Sequence, residues 1–292
     1  MAAQIIDGKA VAEAIRSELT AEINELREKH ELVPGLATVL IGDDPGSVSY
    51  VTGKVKACAS VGIRSFHHHL PGDISEDYVL KLVRELNENQ DVHGILVQIP
   101  LPKQINEKRV VFAIHPDKDV DGLHPVNVGR LMIGEDGFPP CTPAGIIELL
   151  RRSETPVDGA EVVVVGRSNL VGKPVAAMLM QKQRGANATV TVCHTGTRNM
   201  AYHTRRAEVL IVAAGRPGAI TGDMIQLGAT VIDVGVNRIG TTASGKAKLV
   251  GDVDFASASA VAGKITPVPG GVGPMTIAML LKNTVRAAKL TL

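Results

Sequence analysis

Short apolar segments alternate with helix-forming segments along almost the whole chain. The apolar segments are Leu36–Ile41 and Gly94–Pro102 in the first half, and Glu161–Val165, Thr189–His194, Val209–Gly215 and Thr230–Gly235 in the second half. Each has the length of one buried strand, and helical periodicity returns between them. This order predicts an α/β fold with parallel sheets, in which ligands bind at the carboxyl ends of the strands.

The length of 292 residues indicates two domains. The segment from Leu123 to Pro140 resembles a connection, and strand and helix patterns resume after it. We therefore predict an N-terminal domain over residues 1–140 and a Rossmann-like domain over residues 141–273. The last segment, from Pro274, has the pattern of an amphipathic helix.

The composition excludes several classes of function. The chain is 45% hydrophobic and carries a net charge of +1 without a basic or acidic block, which argues against binding to nucleic acid or to an anionic membrane surface. Its three scattered cysteines form neither a disulfide framework nor a metal spacing, so a reducing compartment is the simpler interpretation. No secretory signal or membrane span is apparent, and we expect a cytoplasmic protein.

The segment Ser47–Cys58 contains the first candidate for chemistry. Tyr50 and Lys54 are four residues apart, so in a helix they lie on one face, one turn apart. A phenol above an ammonium group suits a flat aromatic ligand whose reaction needs a proton carrier. Taken alone, the same pattern also fits a surface tyrosine and lysine on an ordinary amphipathic helix.

Two further polar sites lie near strand ends in the first half. Gln98 ends an apolar strand and needs a hydrogen-bond partner if it is buried. The acid-rich loop that begins at Pro116 contains Asp117, Asp119 and Asp121. We interpret Asp117 and Asp119 as residues of a solvated turn.

The turn after Val165 is bounded by Gly166 and Gly172 and leads into a helix. Such a turn offers backbone N–H groups and a positive helix end to a pyrophosphate, although a purely structural βα turn fits the same pattern. The following strand ends in His194 and Thr195 with no acid to hold a ribose 2′-hydroxyl, and Arg167 follows the first glycine. This combination favours NADP over NAD, whereas Arg198 is interpreted as a solvent-facing residue.

The run His67–His69 looks like a metal site, but neighbouring residues of a strand point to opposite faces. The three imidazoles therefore cannot converge on one ion, and we predict no metal site.

These motifs together resemble one family, the bifunctional methylenetetrahydrofolate dehydrogenase/methenyltetrahydrofolate cyclohydrolases. The resemblance covers nearly the whole chain and rests on Ser47-x-x-Tyr50-x-x-x-Lys54, Val97-Gln98-Ile-Pro-Leu-Pro102, Lys118-Asp-Val-Asp121-Gly122, Pro140-Cys-Thr-Pro143, Gly166-Arg-Ser168 with Gly172 and Pro174, and Pro267-Val-Pro-Gly-Gly-Val-Gly-Pro-Met-Thr276. It implies an N-terminal folate domain and a C-terminal NADP-binding Rossmann-like domain, with a cleft between the two domains. It also implies that the final helix (274–292) packs back on the first domain and that the protein is a homodimer.

The resemblance also implies the roles of individual residues. Tyr50 would stack on the folate, Lys54 would be the catalytic base or acid, Gln98 would orient Lys54, and Asp121 would hold the pterin. The other implied substrate contacts are Ser47, Ile99, Pro269, Gly270 and Gly273, and the implied cofactor contacts are Gly166, Arg167, Ser168, Gly172, Thr195, Gly215 and Val236.

The implied activity is oxidation of methylenetetrahydrofolate by NADP, followed by hydrolysis of the methenyl product to 10-formyltetrahydrofolate. The hydrolysis needs proton transfer, so the pKa of Lys54 must be lowered by desolvation. Two residues depart from the expected pattern: Thr195 stands where many members have serine, and Gly53 lies within the catalytic helix. Two alternatives remain, an amino-acid or shikimate-type dehydrogenase and a non-enzymatic NADP-binding module.

Overall fold

The computed structural model describes residues 2–241 and 247–292, which form ten α-helices and eleven β-strands. In chain order the elements are β1 (Gln4–Ile5), α1 (Gly8–His30), β2 (Gly35–Ile41), α2 (Pro45–Val61), β3 (Arg64–Leu70), α3 (Glu76–Glu88), β4 (Gly94–Val97), α4 (Glu107–Ala113), α5 (Pro125–Ile133), α6 (Cys141–Arg152), β5 (Glu161–Val165), α7 (Gly172–Leu179), β6 (Thr189–Cys193), α8 (Met200–Thr204), β7 (Val209–Val212), β8 (Thr230–Asp233), β9 (Asn237–Thr241), β10 (Ala247–Val250), α9 (Phe255–Ser259), β11 (Lys264–Ile265) and α10 (Val272–Lys289). Two short 3₁₀ turns, Pro116–Lys118 and Gly222–Met224, complete these described elements.

The chain divides into two compact units. One contains residues 13–141 and 277–292, and the other contains residues 1–12 and 142–276. The first twelve residues, which the sequence analysis assigned to the N-terminal domain, group with the second unit because β1 pairs with β11. The strand β1 is only two residues long, too short for its partner to be evident from the sequence.

The unit that contains residues 13–141 has a three-stranded parallel sheet in the order β3-β2-β4. All seven residues of β2 are buried, as expected for a central strand that is covered on both faces. Its hydrophobic core includes residues of β2 and β4 together with α3 residues such as Val79 and Val83. The strands β2 and β4 end at Ile41 and Val97, so the loops that follow both strands lie at the same edge of the sheet.

The second unit has a six-stranded parallel sheet in the order β1-β11-β8-β7-β5-β6. The strand order reverses at β5, which lies between β6 and β7. In open α/β sheets such a reversal creates the crevice in which ligands bind. The turns after β5 and β7 therefore lie at this crevice. The observed sheets confirm the predicted α/β fold class with parallel strands.

None of the helices in the described ranges is both long and apolar enough to cross a lipid bilayer.

Candidate active site

The helix α2 begins and ends with well-defined caps. The Asp44 carboxylate accepts a hydrogen bond from the Ser47 backbone nitrogen at 2.8 Å, and Pro45 occupies the first turn. At the other end Gly62 has a φ of +90°, and its N–H donates to the Cys58 carbonyl at 3.1 Å. These caps fix the register of the helix and hence the directions of its side chains.

One face of α2 is buried, and Lys54 lies on it. The buried residues are spaced three and four apart, namely Ser47, Val51, Lys54, Cys58 and Val61. Lys54 is therefore the only charged member of a stripe that is otherwise apolar or weakly polar, and 4% of its surface is exposed. A lysine is almost never buried to this extent without a specific partner.

Lys54 contacts two of the predicted site residues. Its Nζ donates a hydrogen bond to Oε1 of Gln98 at 3.0 Å and lies 4.3 Å from the centre of the Tyr50 ring. The Gln98 Nε2 donates in turn to the carbonyl of Ile99 at 2.7 Å, which fixes the orientation of the amide. Tyr50 is 36% exposed, so its ring is accessible to a ligand.

The environment of Lys54 lowers its pKa. The main cause is desolvation by burial, which disfavours the ammonium form, and the charge of Asp121 opposes this effect. The thiols of Cys58 and Cys141 also lie near Lys54, and burial raises the pKa of Cys58 to about 12. Both thiols are therefore neutral at physiological pH, which leaves Asp121 as the nearby anion. The pKa of Lys54 shifts in the direction that the sequence analysis predicts.

The loop that carries Asp121 is held by residues distant in the sequence. Asn283 of α10 donates from Nδ2 to the Val120 carbonyl at 2.8 Å and to the Pro139 carbonyl at 3.1 Å. The Cys141 thiol also donates to the Val120 carbonyl, at 3.3 Å. Asn283 was missed in the sequence analysis because its role depends on a contact with a loop more than 140 residues earlier.

Asp119 is buried, which corrects the prediction of a solvated turn. Only 1% of its surface is exposed, and its carboxylate accepts hydrogen bonds from the backbone nitrogens of Leu123 and His124 and from Nδ2 of Asn127. Desolvation by burial raises the pKa of Asp119 to about 6. The prediction failed because the local sequence is acid-rich and polar, whereas burial comes from α5. Asp117 is exposed, as predicted.

The remaining predicted substrate contacts are divided between the two units. Ile99 is half-buried directly after Gln98, in the unit that contains Lys54. Pro269, Gly270 and Gly273 belong to the other unit. The helix α10 begins at Val272, two residues before the start at Pro274 that the sequence pattern predicts, so Gly273 lies in the first turn of the helix.

The glycine-bounded turn after β5 packs so closely against neighbouring backbone that a side chain would not fit at either glycine. Gly166 has a φ of +136°, and a Cβ atom there would lie 2.3 Å from the Ala213 carbonyl oxygen. A Cβ atom at Gly172, the first residue of α7, would lie 2.2 Å from the Gly166 carbonyl oxygen. This close backbone approach and the helix N-terminus fit a phosphate group.

Side chains around this turn fit a phosphorylated ribose. Arg167 is exposed, and its Nη1 lies 3.4 Å from Nε2 of His194 because β5 and β6 are adjacent. Ser168 lies in the same turn, and its Oγ accepts a hydrogen bond from the Val171 nitrogen at 3.1 Å. Thr195 is exposed beside His194. A guanidinium and two hydroxyls are donors that suit a 2′-phosphate. His194 also lies in this group, although it was not predicted as a cofactor contact from the sequence.

The other two predicted cofactor contacts follow β7 and β8. Gly215 has a φ of +68°, in the left-handed region that favours glycine, and Val236 is exposed. The Gly215 N–H donates to the carboxylate of Asp252 at 2.7 Å. Asp252 is fully buried and was not singled out from the sequence.

The three histidines of β3 make separate contacts. His67 Nδ1 is hydrogen-bonded to Thr38 Oγ1 at 3.0 Å, and His69 Nε2 lies 3.0 Å from the Gly42 carbonyl oxygen. Within residues 2–241 and 247–292, no group of three or more histidine, cysteine or acidic side chains is arranged to hold a metal ion.

Two family models match the chain. Residues 6–121 match the tetrahydrofolate dehydrogenase/cyclohydrolase catalytic domain, and residues 140–292 match the tetrahydrofolate dehydrogenase/cyclohydrolase NAD(P)-binding domain. The two matches together cover most of the chain and follow the order that the motifs predict.

Individual relatives match over the full length. The bifunctional protein FolD of Syntrophus aciditrophicus is 60% identical, with 100% of this chain and 99% of the relative covered. The FolD crystal structure from Campylobacter jejuni is 46% identical, has a TM-score of 0.94 and is covered over 100% of both chains. The Trypanosoma brucei FolD structure, which is complexed with NADP and an inhibitor, is 42% identical with a TM-score of 0.94 and covers 100% of this chain and 99% of that one. The chain therefore belongs to the tetrahydrofolate dehydrogenase/cyclohydrolase family.

Proposed function

We propose that this chain oxidises 5,10-methylenetetrahydrofolate with NADP and hydrolyses the methenyl product to 10-formyltetrahydrofolate, with Lys54 as the proton carrier. The observation that carries this proposal is the buried Lys54, which is hydrogen-bonded to Gln98 and lies beside the Tyr50 ring. The two reactions are those of the family. The position of Lys54 makes its amine a suitable proton carrier for the second reaction, the hydrolysis.

The folate is held by Tyr50 and Asp121. The exposed part of the Tyr50 ring is a surface on which the flat pterin or the aminobenzoyl ring stacks. The Asp121 carboxylate, which is half-buried near Lys54, accepts hydrogen bonds from the amino and ring N–H groups of the pterin. Ser47, Ile99, Pro269, Gly270 and Gly273 are the remaining proposed substrate contacts.

The first reaction requires alignment and no proton transfer from the protein. The bound nicotinamide cofactor would supply the hydride acceptor for the methylene carbon between the two folate nitrogens. Tyr50 and Asp121 contribute by holding that carbon at a fixed position and angle, which is the main requirement for a direct transfer. Lys54 is not required to change its protonation state in this step.

The second reaction requires a group that both accepts and returns a proton. Water adds to the methenyl carbon, the bond from that carbon to N5 breaks, and a formyl group remains on N10. In this sequence Lys54 accepts a proton from the attacking water and returns it to N5 as the bond to that nitrogen breaks, and the second water proton is released to solvent as the formyl C=O forms. Its lowered pKa raises the fraction of neutral amine available, while Gln98 directs the nitrogen.

The cofactor is held by the residues around the turn after β5. Gly166 and Gly172 allow the backbone to approach the pyrophosphate, while Arg167, Ser168 and Thr195 bind the 2′-phosphate and the adjacent ribose. Gly215 and Val236 contribute the contacts beyond the pyrophosphate.

We also propose how the chain assembles and where in the cell it acts. The chain acts on a small-molecule substrate as a cytoplasmic homodimer, without binding nucleic acid or membranes. Its three free, buried cysteines agree with a reducing compartment, and its net charge of +1 agrees with the absence of nucleic-acid binding. Light scattering of the purified chain tests the dimer, because a monomer at micromolar concentration would contradict it.

Two absorbance assays on the purified wild-type chain test the function. With methylenetetrahydrofolate and NADP we expect formation of NADPH, and with methenyltetrahydrofolate alone we expect decay of the methenyl absorbance above the spontaneous rate. Replacement of NADP by NAD should give a much slower first reaction. A folded chain that catalyses neither reaction would overturn the proposal.

A further inference from the structure

Two buried aspartates lie beneath the loops that follow β7 and β8. Asp233 ends β8, and Asp252 follows β10 by two residues. Their exposed fractions are 4% and 0%. In the described ranges no lysine, arginine or histidine forms an ion pair with either carboxylate. Two buried carboxylates without a cation are costly unless other donors satisfy them.

Among the described residues, Asp233 accepts its hydrogen bonds from backbone nitrogens. Its Oδ1 accepts hydrogen bonds from the nitrogens of Gly235 at 3.0 Å and Asp252 at 2.9 Å, and its Oδ2 accepts from Val253 at 3.0 Å. Desolvation by burial raises the pKa of Asp233 to about 6. These bonds attach the start of the loop after β8 to the segment that carries Asp252.

Asp252 then connects two separate loops. Its Oδ2 accepts from the Gly215 nitrogen at 2.7 Å, and its Oδ1 accepts from Nδ2 of Asn237 at 2.8 Å. Val236 lies between Gly235 and Asn237, so Asp252 holds both the loop of Gly215 and the loop of Val236. The two oxygens of the carboxylate each accept one of these hydrogen bonds. A neutral asparagine side chain has only one oxygen that can accept.

Glycine is required where these carboxylates approach the backbone. A Cβ atom at Gly235 would lie 2.2 Å from the Asp252 carboxyl group, and one at Gly251 would lie 1.8 Å from Asp233 Oδ2. The backbone is therefore in close contact with both carboxylates, so the two loops cannot shift without breaking hydrogen bonds.

We propose that Asp252, supported by Asp233, is a positioning residue for the cofactor that holds Gly215 and Val236 at the carboxyl edge of the sheet. The inference rests on the proposed function, which assigns cofactor contacts to these two residues. The loop of Gly215 follows β7, which borders the reversal of strand order at β5, and the loop of Val236 follows β8, the next strand along the sheet. A dinucleotide binds at such a reversal, beyond the carboxyl ends of the strands. Asp252 acts through the loops and does not itself contact the cofactor.

The test compares a single variant, in which the acid is replaced by an amide, with a double variant, in which the acid and the amide exchange places. In Asp252→Asn one of the two acceptors becomes an NH₂ group that faces either the Gly215 N–H or the Asn237 amide. We expect the dissociation constant for NADPH, measured by fluorescence titration, to rise about 10-fold or more, the scale of one buried charge-assisted hydrogen bond. In the double variant Asp252→Asn/Asn237→Asp the introduced amide donates to the introduced carboxylate and still accepts from Gly215, so the dissociation constant should return to within about 3-fold of wild type.

A matched control separates positioning from general stability. Thr204 is fully buried in the same unit, and its hydroxyl donates to the Met200 carbonyl at 3.3 Å. Thr204→Val removes one buried hydrogen bond away from the two loops. We expect it to lower the melting temperature of the apo protein and to leave the NADPH dissociation constant unchanged.

The NADPH dissociation constants of these variants decide whether Asp252 has the positioning role. Weaker NADPH binding in Asp252→Asn with recovery in the double variant supports the positioning role. Wild-type binding by Asp252→Asn, or a double variant as weak as the single one, overturns it. If Asp252→Asn does not fold, Asn237→Leu removes only the link to the second loop, and unchanged NADPH binding by that variant also overturns the role. A wild-type chain that does not bind NADPH would instead contradict the proposed function.

Discussion

The Nζ of Lys54 donates a hydrogen bond to Oε1 of Gln98 across 3.0 Å, although the two residues are 44 positions apart in the chain. The contact joins a buried face of α2 to the end of β4, and it is the arrangement on which the proposed chemistry depends. A hydrogen bond from the amine to a neutral amide directs the amine without supplying a negative charge that would keep it protonated.

Lys54→Gln should separate the two reactions. Glutamine can still hydrogen-bond to Gln98 but cannot accept and return a proton at this position. We expect cyclohydrolase activity to fall by about 10²–10⁴-fold, the effect of losing a general acid–base, while dehydrogenase activity remains measurable. Both rates are measured on one preparation by methenyl decay and by NADPH formation.

The control for this variant is Lys56→Gln on the same helix. Lys56 is exposed, so its replacement removes the same charge without altering the buried face. Both activities should stay close to wild type. Intact cyclohydrolase activity in Lys54→Gln would show that another group carries the proton.

Asp121→Ala should weaken folate binding selectively. The carboxylate is proposed to accept hydrogen bonds from the pterin, and such charge-assisted bonds are worth about 1.5–3 kcal/mol. We expect the KM for methylenetetrahydrofolate to rise roughly 10–100-fold, with the NADPH dissociation constant nearly unchanged, because the cofactor residues belong to the other unit. Asp117→Ala, on the exposed part of the same loop, should have no effect on either constant. A normal folate KM in Asp121→Ala would remove Asp121 from the site.

Arg167→Ala tests the choice of cofactor. The guanidinium lies beside His194, and the segment His194–Arg198 that follows β6 contains no acid to bind a free 2′-hydroxyl. Loss of the contact to a 2′-phosphate should raise the dissociation constant for NADP roughly 10–100-fold and leave the weak use of NAD nearly unchanged. Lys173→Ala removes a charge of the same sign from the adjacent helix and should change neither. Equal losses with NADP and NAD would mean that Arg167 contacts a group common to both.

The buried Asp119 should make stability depend on pH. Its pKa of about 6 in the folded chain is above the ordinary value of 3.8, so the folded state binds the proton more tightly than the unfolded state. The resulting stabilisation is complete below about pH 4 and is lost as the pH rises through 6. Between pH 5 and pH 7 it should decrease by about 1.3 kcal/mol.

Urea unfolding of wild type and Asp119→Asn at several pH values measures this contribution. The asparagine variant cannot titrate, so the stability of wild type relative to the variant should fall from pH 5 to pH 7. Asp117→Asn serves as the exposed control and should show a pH dependence close to that of wild type. A relative stability that rises over the same interval would mean that the hydrogen bonds from Asn127, His124 and Leu123 outweigh the effect of burial.

Gly53→Ala should stabilise the chain. Gly53 lies in α2, and an added Cβ would meet only the Cδ1 atom of Ile277, at an ordinary distance of 3.9 Å. Replacement of a helical glycine by alanine typically raises the free energy of unfolding by about 0.5–1 kcal/mol. Gly62→Ala should have the opposite effect because Gly62 has a φ of +90°. Thermal unfolding of the two variants should therefore give shifts of opposite sign.

The α/β class, the two-unit organisation and the family could all be predicted from local patterns in the sequence. The alternation of strand and helix patterns is local, and the motifs are short runs of neighbouring residues, so both can be recognised without contacts between distant parts of the chain. The residues named in the motifs are those now proposed for the folate and NADP sites. Their roles remain predictions for the variants above.

The burial of individual polar groups depends on contacts that form when the chain folds. Asp119 is surrounded by polar neighbours in the sequence, yet the Asn127 amide and the following backbone enclose it. Asp252 connects Gly215 to Asn237 through hydrogen bonds that span 37 and 15 residues. The pKa of Lys54 likewise depends on burial and on the distant charge of Asp121. Desolvation is set by atoms that folding brings together from different segments, and local sequence patterns carry little information about it.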